Sequence, residues 1–382
     1  MPNQPATPDE APTTAQDWRN EVKPLELEDT TIHSTALSSA SKFGFEQFLL
    51  LRVLWKQRPP VSILPLAEMK AWVPQATEML AQYKSWATYC NSFRSQAESP
   101  EGTFAIAKYY QREVANTEDR ADPDAFATPI SSRTRAGMNQ VSNGMAGLSL
   151  EPPETPTKKG RKSDFNDRLP SEDESSPSPS PSPMHLVTPI TRELGKILCP
   201  PTKDEQIVNT ALIVFLNALT IHFPLSSKWT LHRKPFIANF KDAKFEARTD
   251  GYLDSPGGKA RVLIEVKPVL RSLNLLAIQM QESAQMVAWI KSDTKLAQEA
   301  NTTRFHVSQD RHLVYVTVAK YDHKYLEYLV DGKSSKDDPS FMTMDQYGPW
   351  DTTDGGHMRR LGPILLAITL RADHESQQET IK

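Results

Sequence analysis

Only two cysteines, Cys90 and Cys199, occur in 382 residues, and they stand far apart. No disulfide framework or cysteine-based zinc site can be built from them, and a reducing compartment is expected. The nine histidines include no H-x-H or H-E-x-x-H spacing, so the usual zinc-hydrolase arrangement is absent. There is no Gly-x-Ser-x-Gly elbow and no Walker-type loop, which sets aside serine-hydrolase and ATP chemistry. Charge of one sign is also lacking. The net charge is −3, and Met184–Lys382 carries 25 Lys+Arg against 23 Asp+Glu. That near-neutrality argues against a general basic coat for nucleic acid, while leaving room for a narrow basic groove. Long apolar runs are missing too. Ala211 to Leu225 is interrupted by Asn217, Thr220 and His222, too short and polar for a membrane span. Met1–Glu10 has no apolar stretch of signal-peptide type. An intracellular protein without a membrane partner is expected, nuclear or cytoplasmic.

What is present is uneven. Proline (30) outnumbers glycine (15), and most prolines fall in the first half. Residues 1–41 are polar and read as disordered. Residues 42–116 read as a helical extension or subdomain, a possible site for protein partners. Phe45 to Leu54 is a dense apolar helix candidate ending before Pro59–Pro60. Leu66–Phe93 follows with helical spacing, and Thr103–Val114 is a third helix. Residues 117–189 read as a Ser/Pro-rich linker containing the basic cluster Lys158–Lys162, either a nuclear-localisation patch or solvated charge. Residues 190–375 alternate helices and strands, and 376–382 form a tail. Lys203–Thr220 is a helix; Pro235–Ala247 and Arg261–Lys267 are strands. Ser255-Pro256-Gly257-Gly258 is a turn, Leu273–Ile290 an amphipathic helix, and His312–Ala319 a strand. Gly355–Leu370 is a helix despite Pro363. The fold class expected is α/β, a mixed sheet flanked by helices.

The chemistry concentrates in Asp250-Gly251-Tyr252, fourteen intervening residues from Asp250, then Glu265-Val266-Lys267. In a strand, residues i and i+2 share a face, so Glu265 and Lys267 lie together, with Val262, Ile264 and Val266 behind them. A hairpin at 255–258 would bring Asp250 alongside Glu265. Two carboxylates supply hard oxygen ligands suited to Mg²⁺ or Mn²⁺. A cation there would neutralise phosphate charge and acidify a bound water, and Lys267 would offset charge growing on the phosphorane oxygens. Each residue has a plainer reading. Glu265 and Lys267 also suit a solvent-facing ion pair, and Asp250–Gly251 a simple turn. Thr202-x-x-Glu205 is a capping box. Gln281 and Gln285 also suit an exposed polar stripe. Lys234, Lys244 and Arg271 are candidate phosphate contacts or ordinary solubilising charge.

The order of these elements resembles the PD-(D/E)XK nuclease superfamily, in particular a branch of uncharacterised fungal nuclease-like proteins. Asp250 matches its first acid, and Glu265-Val266-Lys267 its second element, while Thr249 stands where many members have proline. The resemblance covers about half of the chain. It implies a restriction-endonuclease-like core with Asp250, Glu265 and Lys267 catalytic. Gln281 would be the first position of a Gln-x-x-x-Tyr element whose tyrosine is replaced by Gln285, and Glu205 an acid from an upstream helix. Asp250, Glu265 and Glu205 would be the metal ligands, the cofactor Mg²⁺ or Mn²⁺, and the partner nucleic acid, DNA foremost. A catalytically inactive nuclease-like binding module and a scaffold acting through the N-terminal region are the competing expectations.

Overall fold

The computed structural model describes residues 8–94, 99–116, 204–293, 303–333 and 338–381. The linker expected at 117–189, with Lys158–Lys162, lies outside them, as do Cys199 and Thr202.

The described helices are α1 (Ala15–Val22), α2 (Phe45–Leu50), α3 (Ala67–Lys70), α4 (Trp72–Ala81), α5 (Lys84–Asn91), α6 (Thr103–Ala115), α7 (Glu205–Thr220), α8 (Leu275–Ser292), α9 (His323–Asp331) and α10 (Gly355–Ile381). The strands are β1 (Val53–Arg58), β2 (Lys228–Thr230), β3 (Pro235–Asn239), β4 (Lys244–Arg248), β5 (Gly251–Asp254), β6 (Ala260–Lys267), β7 (Thr303–Asp310), β8 (Leu313–Lys320) and β9 (Met342–Asp351). Seven strands form one mixed sheet in the order β1-β9-β8-β7-β6-β5-β2. The β1–β9 and β6–β7 pairs are parallel, and the remaining pairs antiparallel. The class is therefore α/β, as expected. Strand β6 alternates cleanly. Val262, Ile264 and Val266 enter one core with Val314, Val316 and Val318 of β8 and with α4 to α7 and α10. Leu263 enters the opposite core, with Met342 and Met344 of β9 and residues of α2, α8 and α9. Among the described residues no helix is long and apolar enough to cross a membrane.

Four expectations on organisation need correction. Residues 1–41 are not disordered from residue 8 on. Thr14 and Asp17 form a capping box on α1, Trp18, Val22 and Ile32 are buried, and the Trp18 indole N–H donates to the Leu49 carbonyl at 2.8 Å. Their apolar residues are too few for a core of their own, so composition alone reads as disorder. They are ordered by covering a core built from distant residues. Of the two readings of residues 42–116, the extension packed on the C-terminal half fits and the separate subdomain does not, since both parts share one packed unit. The helix expected through Leu54 stops at Leu50. Arg52 takes a left-handed backbone (φ 54°), and the β-branched Val53 and aromatic Trp55 enter an edge strand paired from Val53↔Met342 to Arg58↔Tyr347. The strand expected over Pro235–Ala247 is a hairpin instead, β3 and β4, forming its own two-stranded sheet. The tail expected at 376–382 continues α10 to Ile381, where Glu379 meets Arg261 (2.7 Å) and Lys259 (3.0 Å).

Helix α10 crosses α5 closely at Gly362. A Cβ there would lie 2.3 Å from Trp86 Cη2, too near for either ring or helix to avoid moving. Gly362→Ala is expected to destabilise by about 1–3 kcal/mol through overpacking, despite alanine's better helix propensity. Urea denaturation reads it, and a stabilised variant would contradict the packing. Trp18→Ala is expected to cost about 3–5 kcal/mol, the usual range for emptying a buried aromatic site. An unchanged melting temperature would restore the disordered reading of the N-terminal residues.

Candidate active site

The antiparallel pairing of β5 with β6 runs Gly251↔Ile264, Tyr252↔Leu263, Leu253↔Val262. One step further sets Asp250 opposite Glu265. The Asp250 N–H donates to the Ile264 carbonyl (3.0 Å), and Asp250 Oδ2 accepts from the Val266 N–H (3.2 Å). The Asp250 carboxylate is thus held against the backbone between Glu265 and Lys267. The turn reading of Asp250–Gly251 fails for a steric reason. Gly251 begins β5, and a Cβ there would lie 2.5 Å from the Thr230 carbonyl oxygen of β2, so the glycine serves close strand approach.

Glu265 is 2 % exposed, which excludes the solvent-facing ion pair. Its Oε1 accepts from Lys267 Nζ and from Gln281 Nε2, both at 2.5 Å. Its Oε2 accepts from Gln285 Nε2 at 2.6 Å. Gln281 and Gln285 are one turn apart on α8, so they reach the carboxylate together, and they are not an exposed stripe. Nor is α8 the amphipathic helix that was expected. Gln279, Glu282, Ser283 and Gln285 are all buried, because the sheet lies on one side and the N-terminal segment on another.

Glu205 is the first residue of α7. The N-cap is Asp204, whose side chain accepts from the Gln206 N–H at 2.8 Å. Glu205 is therefore placed inside the first turn and faces Arg233, with Nη2 at 3.7 Å from Glu205 and 2.8 Å from Asp250. No sequence signal marks Arg233. It sits in the loop between β2 and β3 with no local pattern to distinguish it, and only the return of the chain places it. Asn209, one turn along α7, donates to the Asp250 carbonyl at 2.9 Å.

The cluster thus holds three carboxylates, Glu205, Asp250 and Glu265, against two cationic side chains, Arg233 and Lys267. Burial, then the Asp250 charge, pushes the Glu265 carboxyl well above its ordinary value, with Lys267 only partly opposing. Burial likewise raises Glu205, against Lys267 and Arg233. For Lys267 burial disfavours the charge, but Glu265, Glu205 and Asp250 outweigh it and hold the ammonium protonated. The hard oxygen donors and the surplus of negative charge suit a divalent cation. As placed, however, no three His, Cys, Asp or Glu side chains among the described residues stand ready to hold one metal ion. Arg233 stands between two of the acids, and the oxygens of the third already accept from Lys267, Gln281 and Gln285.

Two further groups lie beside the cluster. His306 of β7 pairs with Leu263 and is fully buried, with neither ring nitrogen hydrogen-bonded among the described residues. Burial, then the Arg271 and Lys267 charges, pulls its pKa down to about 3, so it is a neutral filler. Arg271 corrects the sequence reading. It contacts no solvent-facing groove but is 4 % exposed, bonded to Asp310 (2.5 Å), Glu282 (2.9 Å), Ser308 (2.8 Å) and Gln346. It also lies over the Tyr315 ring. Lys234 bonds the Gly258 carbonyl, and Lys244 is exposed at the start of β4. No family model matches the chain, and a search of curated proteins finds no match.

The raised Glu265 pKa has a stability consequence. A carboxyl that binds its proton more tightly folded than unfolded stabilises the fold below the unfolded value, and that contribution is lost as pH rises through the folded value. Relative to Glu265→Gln, the wild type is therefore expected to lose stability as pH increases from about 4.5 upward. Urea titrations at several pH values check this. A difference independent of pH would mean that Glu265 titrates normally.

Proposed function

We propose that the chain is a Mg²⁺- or Mn²⁺-dependent nuclease that hydrolyses phosphodiester bonds of nucleic acid, with DNA as its substrate, on a core of the PD-(D/E)XK type. The observation that carries this reading is the convergence on buried Glu265 of Lys267 from its own strand and Gln281 from α8, with Asp250 on the adjoining strand. Glu205 completes the set across Arg233. The departures from the family pattern are Thr249 for proline and Gln285 for tyrosine. Gln285 still reaches the same carboxylate.

Asp250, Glu265 and Glu205 are the residues that would hold the cation, which supplies Lewis-acid charge and a more acidic water when bound. Lys267 carries a fixed positive charge at the edge of the cluster, where it offsets charge building on a phosphate in attack. Gln281 and Gln285 fix the Glu265 carboxylate, so that its orientation is set before substrate arrives. Arg233 and a cation compete for the same Asp250 and Glu205 oxygens. The 36 % exposure of the Arg233 side chain leaves it free to exchange partners with solvent or a phosphate. A nuclear or cytoplasmic setting accompanies this substrate.

One observation favours the inactive binding module as a second reading. Every oxygen of Asp250 and Glu265 already has a donor within the protein. The two readings separate in one experiment. Under the nuclease reading, labelled DNA is cleaved only with Mg²⁺ or Mn²⁺, and Lys267→Ala loses about two orders of magnitude in rate, as removal of a transition-state charge partner does. Calorimetry shows Mn²⁺ binding that weakens at acid pH, because protons on Glu205 and Glu265 compete with the ion. It is lost in Asp250→Asn and tightened in Arg233→Gln. Equal cleavage by wild type and Lys267→Ala would sink the nuclease assignment, and absence of metal binding would leave the inactive module.

A further inference from the structure

A polar cavity lies apart from the carboxylate cluster. Its volume is about 340 Å³, within the range of small-molecule sites. The end of α5, one face of α6 and the residues following β9 enclose it. Arg94, Lys108 and Arg112 line it together with Gln111 and Thr352, and among the described residues no aspartate or glutamate does.

Lys108 is the anomaly. It is 7 % exposed, and its ammonium sits 2.7 Å from the centre of the Phe93 ring. Among the described residues no carboxylate pairs with it. Burying an unpaired ammonium is costly. Arg112 follows one turn later on α6, and like charges at that spacing repel. Burial and then the Arg112 charge pull the Lys108 pKa down to about 7. A leucine or methionine against Phe93 would satisfy packing without this cost. A second polar group is also left over. Thr352 is 1 % exposed, and its hydroxyl has no hydrogen-bond partner among the described residues. Three cationic side chains, a buried hydroxyl and the Gln111 amide thus surround a space of ligand size that offers no internal counter-charge.

We propose that this cavity is a binding site for a phosphate group, free or as a phosphomonoester, held by Lys108 and Arg112 from α6, Arg94, and the Thr352 hydroxyl. A dianion suits the arrangement better than a single carboxylate, because three positive charges face one space and charge-assisted bonds to phosphate oxygens are strong. None of these residues belongs to the carboxylate cluster, so the site stands apart from the nuclease reading.

The test is calorimetry on the full chain without divalent metal, titrating inorganic phosphate and, separately, thymidine 5′-monophosphate. Wild type is expected to bind saturably. Lys108→Met is expected to weaken binding about tenfold or more, the loss of one strong charged contact. It should melt no lower than wild type, because an apolar chain replaces an unpaired buried charge. The double variant Arg94→Gln/Arg112→Gln, whose side chains are exposed, keeps the test valid should Lys108→Met fold poorly, and it is expected to weaken binding similarly. Lys84→Met, an exposed lysine on α5, should bind as wild type. Tighter binding of the nucleotide than of phosphate assigns the site to phosphomonoesters, and equal binding assigns it to the phosphate group alone. No saturable binding of either probe, or unchanged binding in both cavity variants, would overturn the proposal.

Discussion

A buried carboxylate must be met by donors, and the donors that meet Glu265 hold this part of the molecule in register. Lys267 follows from the two-residue period of β6, but Gln281 and Gln285 come from α8, and both must land on one carboxylate. Their arrival fixes the rotation of α8 about its axis and its position along the sheet. Gln285 also donates to the Arg248 carbonyl at 2.8 Å, so the same amide ties the end of β4, and with it the β3–β4 hairpin, to the site. Charge-assisted bonds of this kind are about twice as strong as neutral ones, and apolar packing alone would permit small slides that they forbid.

The same helix is pinned a second time. Glu282, next to Gln281, bonds Arg271, which reaches Asp310 and Ser308 on β7 and Gln346 on β9. Burial, opposed by Arg271, brings the Asp310 carboxyl up to about 6. Two polar clusters with more acids than bases thus lie along one helix, one enclosed and one open to solvent through Lys267 and Arg233. The enclosed cluster serves as a strut. The open one is where the surplus negative charge can be balanced from outside.

How much of this could be read from the residues depends on where each side chain finds its partner. Strand β6 announces itself because its apolar residues alternate with Glu265 and Lys267, and the turn at Ser255–Gly258 because only glycine tolerates φ 70° easily, as Gly258 shows. Strand β7 went unread. Arg304, His306, Ser308 and Asp310 share one of its faces, which looks solvated until Tyr321, Asp293 and Arg271 are seen to cover it. Strand β1 reads as helix because its apolar run is continuous with α2, and nothing local marks the partner nearly three hundred residues away. The nearness of Asp250 to Glu265 and Lys267 was legible through strand spacing, and Gln281 only through the family resemblance. Glu205 was legible as an acid but not in its role, and Arg233 was invisible because a loop has no period.

The pairing of β1 with β9 sets the order in which the molecule can be finished. Residues 53–58 leave the ribosome long before 342–347 exist, so this strand's ladder partner is the last of the sheet to be made. Until then Val53, Leu54 and Trp55 present an apolar, unpaired edge through most of synthesis. Contacts this distant slow folding, and exposed edges of this kind invite association between nascent chains. Keeping residues 53–58 from pairing with other chains until β9 is made is thus a demand that this topology places on synthesis.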